Sequence, residues 1–330
     1  MQVGNTLRLG GAALALIASS LLPAAPAAAQ DDAPLTFVVP FTPGGGNDVL
    51  ARLLAPHLSQ ALHRNVIVEN KAGASGNIGL GYVAHSKPDG NTIGIAGSQV
   101  ATNPAMGMPV SFDVQKDLAP VGMIAEVPLV LVVNAKLPYK TLDEFVAYAR
   151  QHPGEINFGS PGVGVPQHLA GELLDDMAHI KMTHVPYQGL SPALSGVLSG
   201  QIQAVFGDLG AVLPYVHDGS MRALGVARNR RTALVPDMPA FNEDHGVGLD
   251  NYNAAMWFSI MAPARTPKPI IDKLNAALNE SLKNPDVQKQ LADQGFEISR
   301  TTPEQLSEIV SRDLALWTRV ADENHLIAKN

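Results

Sequence analysis

Val39-Pro40-Phe41-Thr42-Pro43-Gly44-Gly45-Gly46-Asn47-Asp48 is the stretch on which the reading of the fold turns. The apolar run that leads into it, residues 35–39, reads as a buried strand. Val49, Leu50, Leu53, Leu54 and Leu58 then recur at helical spacing. The segment is a strand-to-helix junction, with Asn47 or Asp48 as the helix cap. Glycine lets backbone approach a bound group closely. The first N–H groups of a helix point into such a loop, and the helix dipole favours an anion there. Two readings stand side by side: a backbone cradle for a carboxylate, and an ordinary turn with glycines for close packing.

Nucleotide binding is a poor fit. A phosphate-binding P-loop ends Gly-Lys-Ser/Thr, and the chain has no Gly-Lys pair. The dinucleotide fingerprint fails because Val49 stands where its last glycine belongs.

Working outward, the same device repeats. Residues 66–68 are a strand, a glycine-rich loop follows, and residues 78–84 are a weak helix. Pro88-Asp89-Gly90 marks a turn before a strand at 92–95. Further strands are expected at 129–133, 156–158, 184–185, 202–206, 223–226 and 256–261. Helices are expected at 141–150, with Thr141 as cap and Glu144 as its capping-box partner, at 169–177 and at 192–198 behind Ser191 as cap. Residues 269–283, 285–294 and 303–320 read as amphipathic surface helices. Strand, loop and helix repeated in this order predict a parallel α/β architecture with similar halves.

Four more junctions carry polar groups. Asn70-Lys71-Ala72-Gly73-Ala74-Ser75-Gly76-Asn77 includes Lys71, which reads as a solvated surface lysine. The segment 159–169 offers the Ser160 hydroxyl, close approach at Gly164, and His168 in the first helical turn. His168 is either a ligand contact or a packed core histidine. Residues 184–192 bring Tyr187 and Gln188, and Asp208 directly follows a strand. Asp208 either accepts a hydrogen bond from a ligand hydroxyl or ammonium, or caps the next helix. Ligands of open α/β sheets bind at the carboxyl ends of the strands, so these loops suit one cleft between two lobes.

The ends and composition narrow the classes. One arginine, Arg8, precedes an apolar run from residue 9 to 22, and Ala27-Ala28-Ala29 closes the segment. That is the pattern of a secretory leader over residues 1–29, with an apolar core shorter than the roughly 20 residues that span a bilayer. The chain has no cysteine, so it is not a lipoprotein, and thiol catalysis and thiolate metal sites are excluded. Loss of Arg8 with the leader leaves 22 of the 23 basic residues against all 30 acidic ones, or −8. Without a basic run, no nucleic-acid partner is expected.

The motifs together resemble a family. Pro40-Phe41-Thr42-Pro43-Gly44-Gly45 with Asp48, Glu69 through Gly79, Pro88-Asp89-Gly90, Gly159-Ser160 through His168-Leu169, and Val185-Pro186-Tyr187-Gln188-Gly189 are similar in order and spacing to the Bug-type (TctC-like) receptors of tripartite tricarboxylate transporters. The resemblance covers essentially the whole mature chain. It implies a type II periplasmic-binding-protein fold, with two α/β lobes, a ligand cleft between them and two crossover strands near 129–133 and 255–261. Residues 30–128 plus 256–330 form the first lobe in this reading, and 129–255 the second. It also implies a periplasmic receptor that delivers a small organic carboxylate, such as a di- or tricarboxylate, aromatic acid or amino acid, to membrane permease subunits. Phe41, Thr42, Gly44, Gly45, Ala74 and Gly76 would hold one carboxylate, partly through ordered water. Ser98 joins the binding set, and Ser160, Gly164, His168 and Asp208 would serve from the second lobe. Gln188 departs from the lysine common in the family, which removes a positive charge. The Gly207-Asp208-Leu209-Gly210 neighbourhood is also unusual for it.

An enzyme is the rival class, and a secreted hydrolase its simplest form. No G-x-S-x-G elbow, H-x-H or H-E-x-x-H is present, so no catalytic residue, metal or cofactor is expected. A ligand sensor for a membrane signalling partner is the other alternative.

Overall fold

The computed structural model describes residues 33–243 and 247–327. The leader expected over residues 1–29 lies outside the described residues. The first sheet is built from β1 (Leu35–Val39), β2 (Val66–Asn70) and β3 (Thr92–Gly97), with α1 (Gly46–Leu62), α2 (Asn77–Ala84) and α3 (Gln99–Ala105) each following its strand. β1 runs parallel to both β2 and β3. Its side chains alternate between two cores. Leu35, Phe37 and Val39 pack with Leu50, Leu54 and Leu58 of α1, while Val38 packs with Leu80 and Val83 of α2. That is the strand period at work, and each such buried side chain stabilises the fold by about 1.5–3 kcal/mol.

β4 (Leu118–Val127), β10 (Met256–Pro263) and the short β11 (Glu297–Ile298) complete this sheet in the order β11-β4-β10-β3-β1-β2. β10 is antiparallel to both neighbours. The second sheet holds β5 (Leu129–Asn134), β6 (Asn157–Ser160), β7 (Thr183–Pro186), β8 (Ala204–Asp208) and β9 (Met221–Val226) in the order β7-β6-β8-β5-β9. Its helices are α4 (Leu142–Gln151), α5 (Pro166–Ala178), α6 (Leu190–Ser199) and α7 (Leu209–His217). Leu129, Leu131 and Val133 face Phe145 of α4 and Leu169 of α5. Val130 and Val132 face Val197 of α6 and Val212 of α7. The chain passes from the first sheet to the second at Pro128 and returns between Val226 and Met256.

α8 (Lys268–Ser281), α9 (Pro285–Asp293) and α10 (Pro303–Glu323) end the chain. α10 serves both sheets: Leu306 and Val310 join the core that contains Val38, while Trp317, Val320 and Ala321 join the one that contains Leu131. Among the described residues no helix is long and apolar enough to cross a membrane.

The two-sheet α/β plan is as expected, but both sheets are mixed rather than purely parallel, because β5 and β10 run against their neighbours. β4 was not foreseen, since Pro120 and Gly122 interrupt its apolar pattern. α3 was not read as a helix, and α7 entered only through the alternative in which Asp208 caps a helix that follows it. α6 starts at Leu190 behind Gly189, so Ser191 is not its cap. Thr141 does cap α4, accepting from Glu144 N–H at 3.2 Å. The Glu144 carboxylate, however, accepts from Lys140 N–H, not from that of Thr141.

Candidate functional site

α1 begins at Gly46 with Gly45 in the cap position, so neither Asn47 nor Asp48 caps it. Asp48 has another task. It is 3% exposed, and its Oδ2 accepts from Gly44 N–H and Arg52 Nε, both at 2.9 Å. Its Oδ1 accepts from Asn70 Nδ2 at 2.9 Å. Asn70, the last residue of β2, also donates to the Phe41 carbonyl at 3.0 Å. One buried carboxylate therefore ties the loop after β1 to the loop after β2. The Arg52 hydrogen bond, helped by Gly44 and Asn70 and opposed by burial, draws the Asp48 carboxyl down to about 2.

The second loop holds four successive residues at positive φ: Gly73 (136°), Ala74 (47°), Ser75 (54°) and Gly76 (90°). Ala74 and Ser75 each cost roughly 1–2 kcal/mol in that conformation. Such strain persists only where surrounding contacts enforce it. Here Asn103 Nδ2 donates to Ser75 O at 3.0 Å and to Asn77 Oδ1 at 2.8 Å. A methyl group on Gly76 would lie 3.1 Å from Phe41 Cζ and 3.5 Å from Gln99 Nε2, so these three residues meet. Gln99 Nε2 and Asn47 Oδ1 are buried and have no partner among the described residues. A native fold rarely leaves such atoms unsatisfied without a functional reason.

At the second sheet, Ser160 Oγ donates to Gly162 O at 2.6 Å and lies 2.6 Å from His184 Nε2. His184 stacks on His168 with ring centroids 3.8 Å apart. Burial, with His168 alongside, pushes the His184 imidazole down to about 3, so it is neutral. Gly164 N–H donates to His168 Nδ1 at 3.0 Å, which leaves the proton on Nε2, 3.2 Å from Glu172 Oε1. Gln167 Nε2 donates to Asp208 Oδ1 at 2.8 Å. Burial raises the Asp208 carboxyl above its ordinary range despite that bond. Asp208 occupies the cap position of α7, yet its side chain does not cap the helix. A serine beside a histidine suggests hydrolase chemistry, but Ser160 is fully buried, and no carboxylate hydrogen-bonds to His184 among the described residues.

The helices that leave the parallel strands share one property. Among the described residues, α1, α2, α3, α5, α6 and α7 have no side-chain cap. α4, α9 and α10 are capped by Thr141, Asn284 and Thr302. α8, which begins Lys268-Pro269 behind Pro267, is uncapped as well. Uncapped first-turn N–H groups are donors in want of an acceptor. The two sets of junctions touch each other. A methyl on Gly164 would meet Met106, just past α3, at 3.3 Å. Gly210 at the start of α7 packs backbone to backbone on Gly295, and Phe296 lies against Gly46.

Of the residues singled out in the sequence, Phe41, Thr42, Gly44, Gly45, Ala74 and Gly76 lie in the two loops tied by Asp48. Ser160, Gly164, His168 and Asp208 gather at the end of the second sheet. Ser98 is 6% exposed, and its hydroxyl accepts from Trp257 N–H at 3.1 Å, so β10 occupies it. Sequence reasoning missed Asn70, Gln99, Gln167 and His184 as shaping residues. Asn70, Gln167 and His184 lie within the junctions at 70–77, 159–169 and 184–192, which was their positional hint, while Gln99 stands outside them, next to Ser98 at a strand end.

Comparison with known proteins follows the same line. Residues 50–326 match the family described as tripartite tricarboxylate transporter family receptor. Protein BugT of Bordetella pertussis is 35% identical over 292 residues, which is 88% of this chain and 89% of that protein. MatC of Rhodopseudomonas palustris with bound malate superposes with a TM-score of 0.68 at 30% identity, covering 87% of this chain and 98% of that one. An R. palustris protein with adipate gives a TM-score of 0.70 at 33% identity, covering 88% and 96%.

Proposed function

Because the chain belongs to the tripartite tricarboxylate transporter receptor family, we propose that it is an exported receptor that captures a small organic carboxylate and hands it to membrane permease subunits. In this reading it acts in the periplasm after losing its leader, and it catalyses nothing. The observation that carries the proposal is that, among the described residues, no helix leaving a parallel strand has a side-chain cap. A carboxylate supplies the acceptors those N–H groups lack, and charge-assisted bonds to it strengthen where water is excluded. The related proteins solved with malate and adipate hold acids of this class.

The carboxylate sits on the loops of Phe41, Thr42, Gly44, Gly45, Ala74 and Gly76, with Gln99 Nε2 as an additional donor. Ser160, Gly164, His168 and Asp208 form the opposing wall, in which the buried Ser160 and His168 set the shape of the loop. Solute bound on one sheet's loops favours the closed arrangement by as much as its affinity for that arrangement exceeds its affinity for the open one. The two passages near Pro128 and between Val226 and Met256 are the hinge.

Thermal unfolding of the purified protein with a panel of mono-, di- and tricarboxylates, aromatic acids and amino acids tests this. A ligand at a hundredfold its Kd adds about 2.7 kcal/mol, a visible rise in Tm. A rise with one acid class, and recovery of that compound unaltered, is expected. No rise with any acid refutes the carboxylate reading, and conversion of the compound refutes the non-catalytic one.

A further inference from the structure

The two walls of the proposed site differ in charge. On the first-sheet side, the donors are uncapped N–H groups and Gln99 Nε2, and the Asp48 charge is answered by Arg52. Lys71 flanks this side, paired with Glu69 at 3.2 Å. The second-sheet side has no lysine or arginine in any of its three strand-to-helix junctions, residues 160–168, 186–192 and 207–211. Its histidine next to Ser160 is neutral, and Ser160 is bonded on all sides. What remains is Asp208. Its Oδ1 takes the Gln167 amide, while its Oδ2 has no hydrogen-bond partner among the described residues.

Asp208 is placed to meet a solute. It ends β8, beside the passage at Pro128, whose carbonyl accepts from Leu209 N–H at 3.0 Å. Two residues on, Gly210 lies against Gly295, and Phe296 lies against Gly46 of the first loop. Asp208 is thus two residues from a point where the two walls touch. A second carboxylate brought there meets a like charge in a poorly solvated place, which disfavours binding. An ammonium group satisfies the free oxygen and neutralises the charge.

Resting on the receptor reading above, we propose that the preferred solute is an amino carboxylate, with its carboxylate on the first-sheet loops and its ammonium group on Asp208. Gln167 holds the Asp208 side chain in place, so Asp208 is the specificity-determining residue.

Calorimetric titration of the mature protein with three matched series tests this: linear ω-amino carboxylates and α-amino acids, dicarboxylates of equal length, and plain monocarboxylates. Some amino carboxylate is expected to bind at least tenfold more tightly than its dicarboxylate and monocarboxylate counterparts. In Asp208→Asn that preference falls at least tenfold, while dicarboxylate binding is kept or strengthened. Tighter binding of dicarboxylates by the unaltered protein overturns the proposal and leaves the receptor reading intact, with no variant needed. A preference that survives Asp208→Asn overturns the assignment of Asp208. Absence of binding in all three series overturns this proposal, while the receptor reading falls only if the tricarboxylates and aromatic acids of the wider panel also fail to bind.

Discussion

Arg228 and Glu126 form an ion pair, 2.9 Å apart, across the two places where the chain passes between its sheets. Glu126 precedes Pro128 at the end of β4, and Arg228 follows the last residue of β9. The Arg228 side chain is 1% exposed and also pairs with Glu297, while Arg230 reaches both carboxylates from the surface. Beside this cluster, Ala227 N–H donates to Leu129 O at 2.8 Å. The proposed hinge is therefore pinned by charge as well as by backbone.

Arg228→Met is expected to destabilise the fold by about 3 kcal/mol, because it removes the buried partner of two partly buried carboxylates and leaves them only the half-exposed Arg230. Arg230→Met, at a half-exposed side chain, should cost at most about 1 kcal/mol. Urea denaturation of the two variants measures the difference. Equal, small losses would show that the buried pair contributes no more than a surface one.

Asp48 and Asn70 should behave as one unit. Either Asp48→Ala or Asn70→Ala leaves partners of the other unbonded, at roughly 1–3 kcal/mol. The double variant should cost less than the two losses together, with a coupling of at least about 0.5 kcal/mol. Ligand affinity should fall in both single variants, as the two loops lose their common anchor. Strict additivity in a denaturation cycle would mean the loops are held independently.

Two glycines of the tied loops separate folding from binding. Gly76 has φ +90°, and a methyl there would press on Phe41 at 3.1 Å. Gly76→Ala should cost about 1–2 kcal/mol of stability as well as affinity. Gly45 has φ −81°, and its nearest neighbour, Thr42 O, is 3.9 Å from an added methyl. Gly45→Ala should stay within about 1 kcal/mol of the parent in stability. Gly45→Val should fold yet weaken binding by crowding the cradle. Unchanged affinity in a folded Gly45→Val protein would move the carboxylate elsewhere.

Two buried groups make opposite contributions to pH dependence. Burial pushes the Asp175 carboxyl up to about 7, so the folded state keeps a proton that the unfolded chain releases above its ordinary 3.8. Stability from this group falls as pH rises from about 4 to about 7, by up to about 1.4 kcal/mol per unit. His184, pushed down to about 3, stays neutral while the unfolded chain takes up a proton below 6.5. Its contribution therefore falls as pH drops from 6.5 towards 3. The two slopes oppose each other between about 4 and 6.5. Tm against pH should rise across that window in Asp175→Asn relative to the parent, and fall in His184→Gln. Parallel profiles for parent and both variants would show that neither group is perturbed.

Much of the plan is local and was legible. The alternation of Leu35, Phe37 and Val39 with Val38, followed by Leu50, Leu54 and Leu58 at helical spacing, marks β1 and α1 without any knowledge of the rest. The glycine junctions announced strand ends, and their order along the chain pointed to the family. These features depend on neighbours within a few residues, where backbone sterics and the strand and helix periods dominate.

Tertiary structure decided what the junctions are made of. β4 is a strand because β10 pairs along it, despite Pro120 and Gly122. Asp48 reads as a helix cap from sequence, yet it is the buried tie to Asn70, 22 residues away. Ser160 and His184 meet across 24 residues because β6 and β7 run parallel with Phe158 beside His184. Asp208 became a half-satisfied carboxylate only when α5 brought Gln167 to one of its oxygens. Sequence spacing cannot show such pairs, because their energies depend on side-chain direction and on exclusion of water. Both arise only when the sheets assemble.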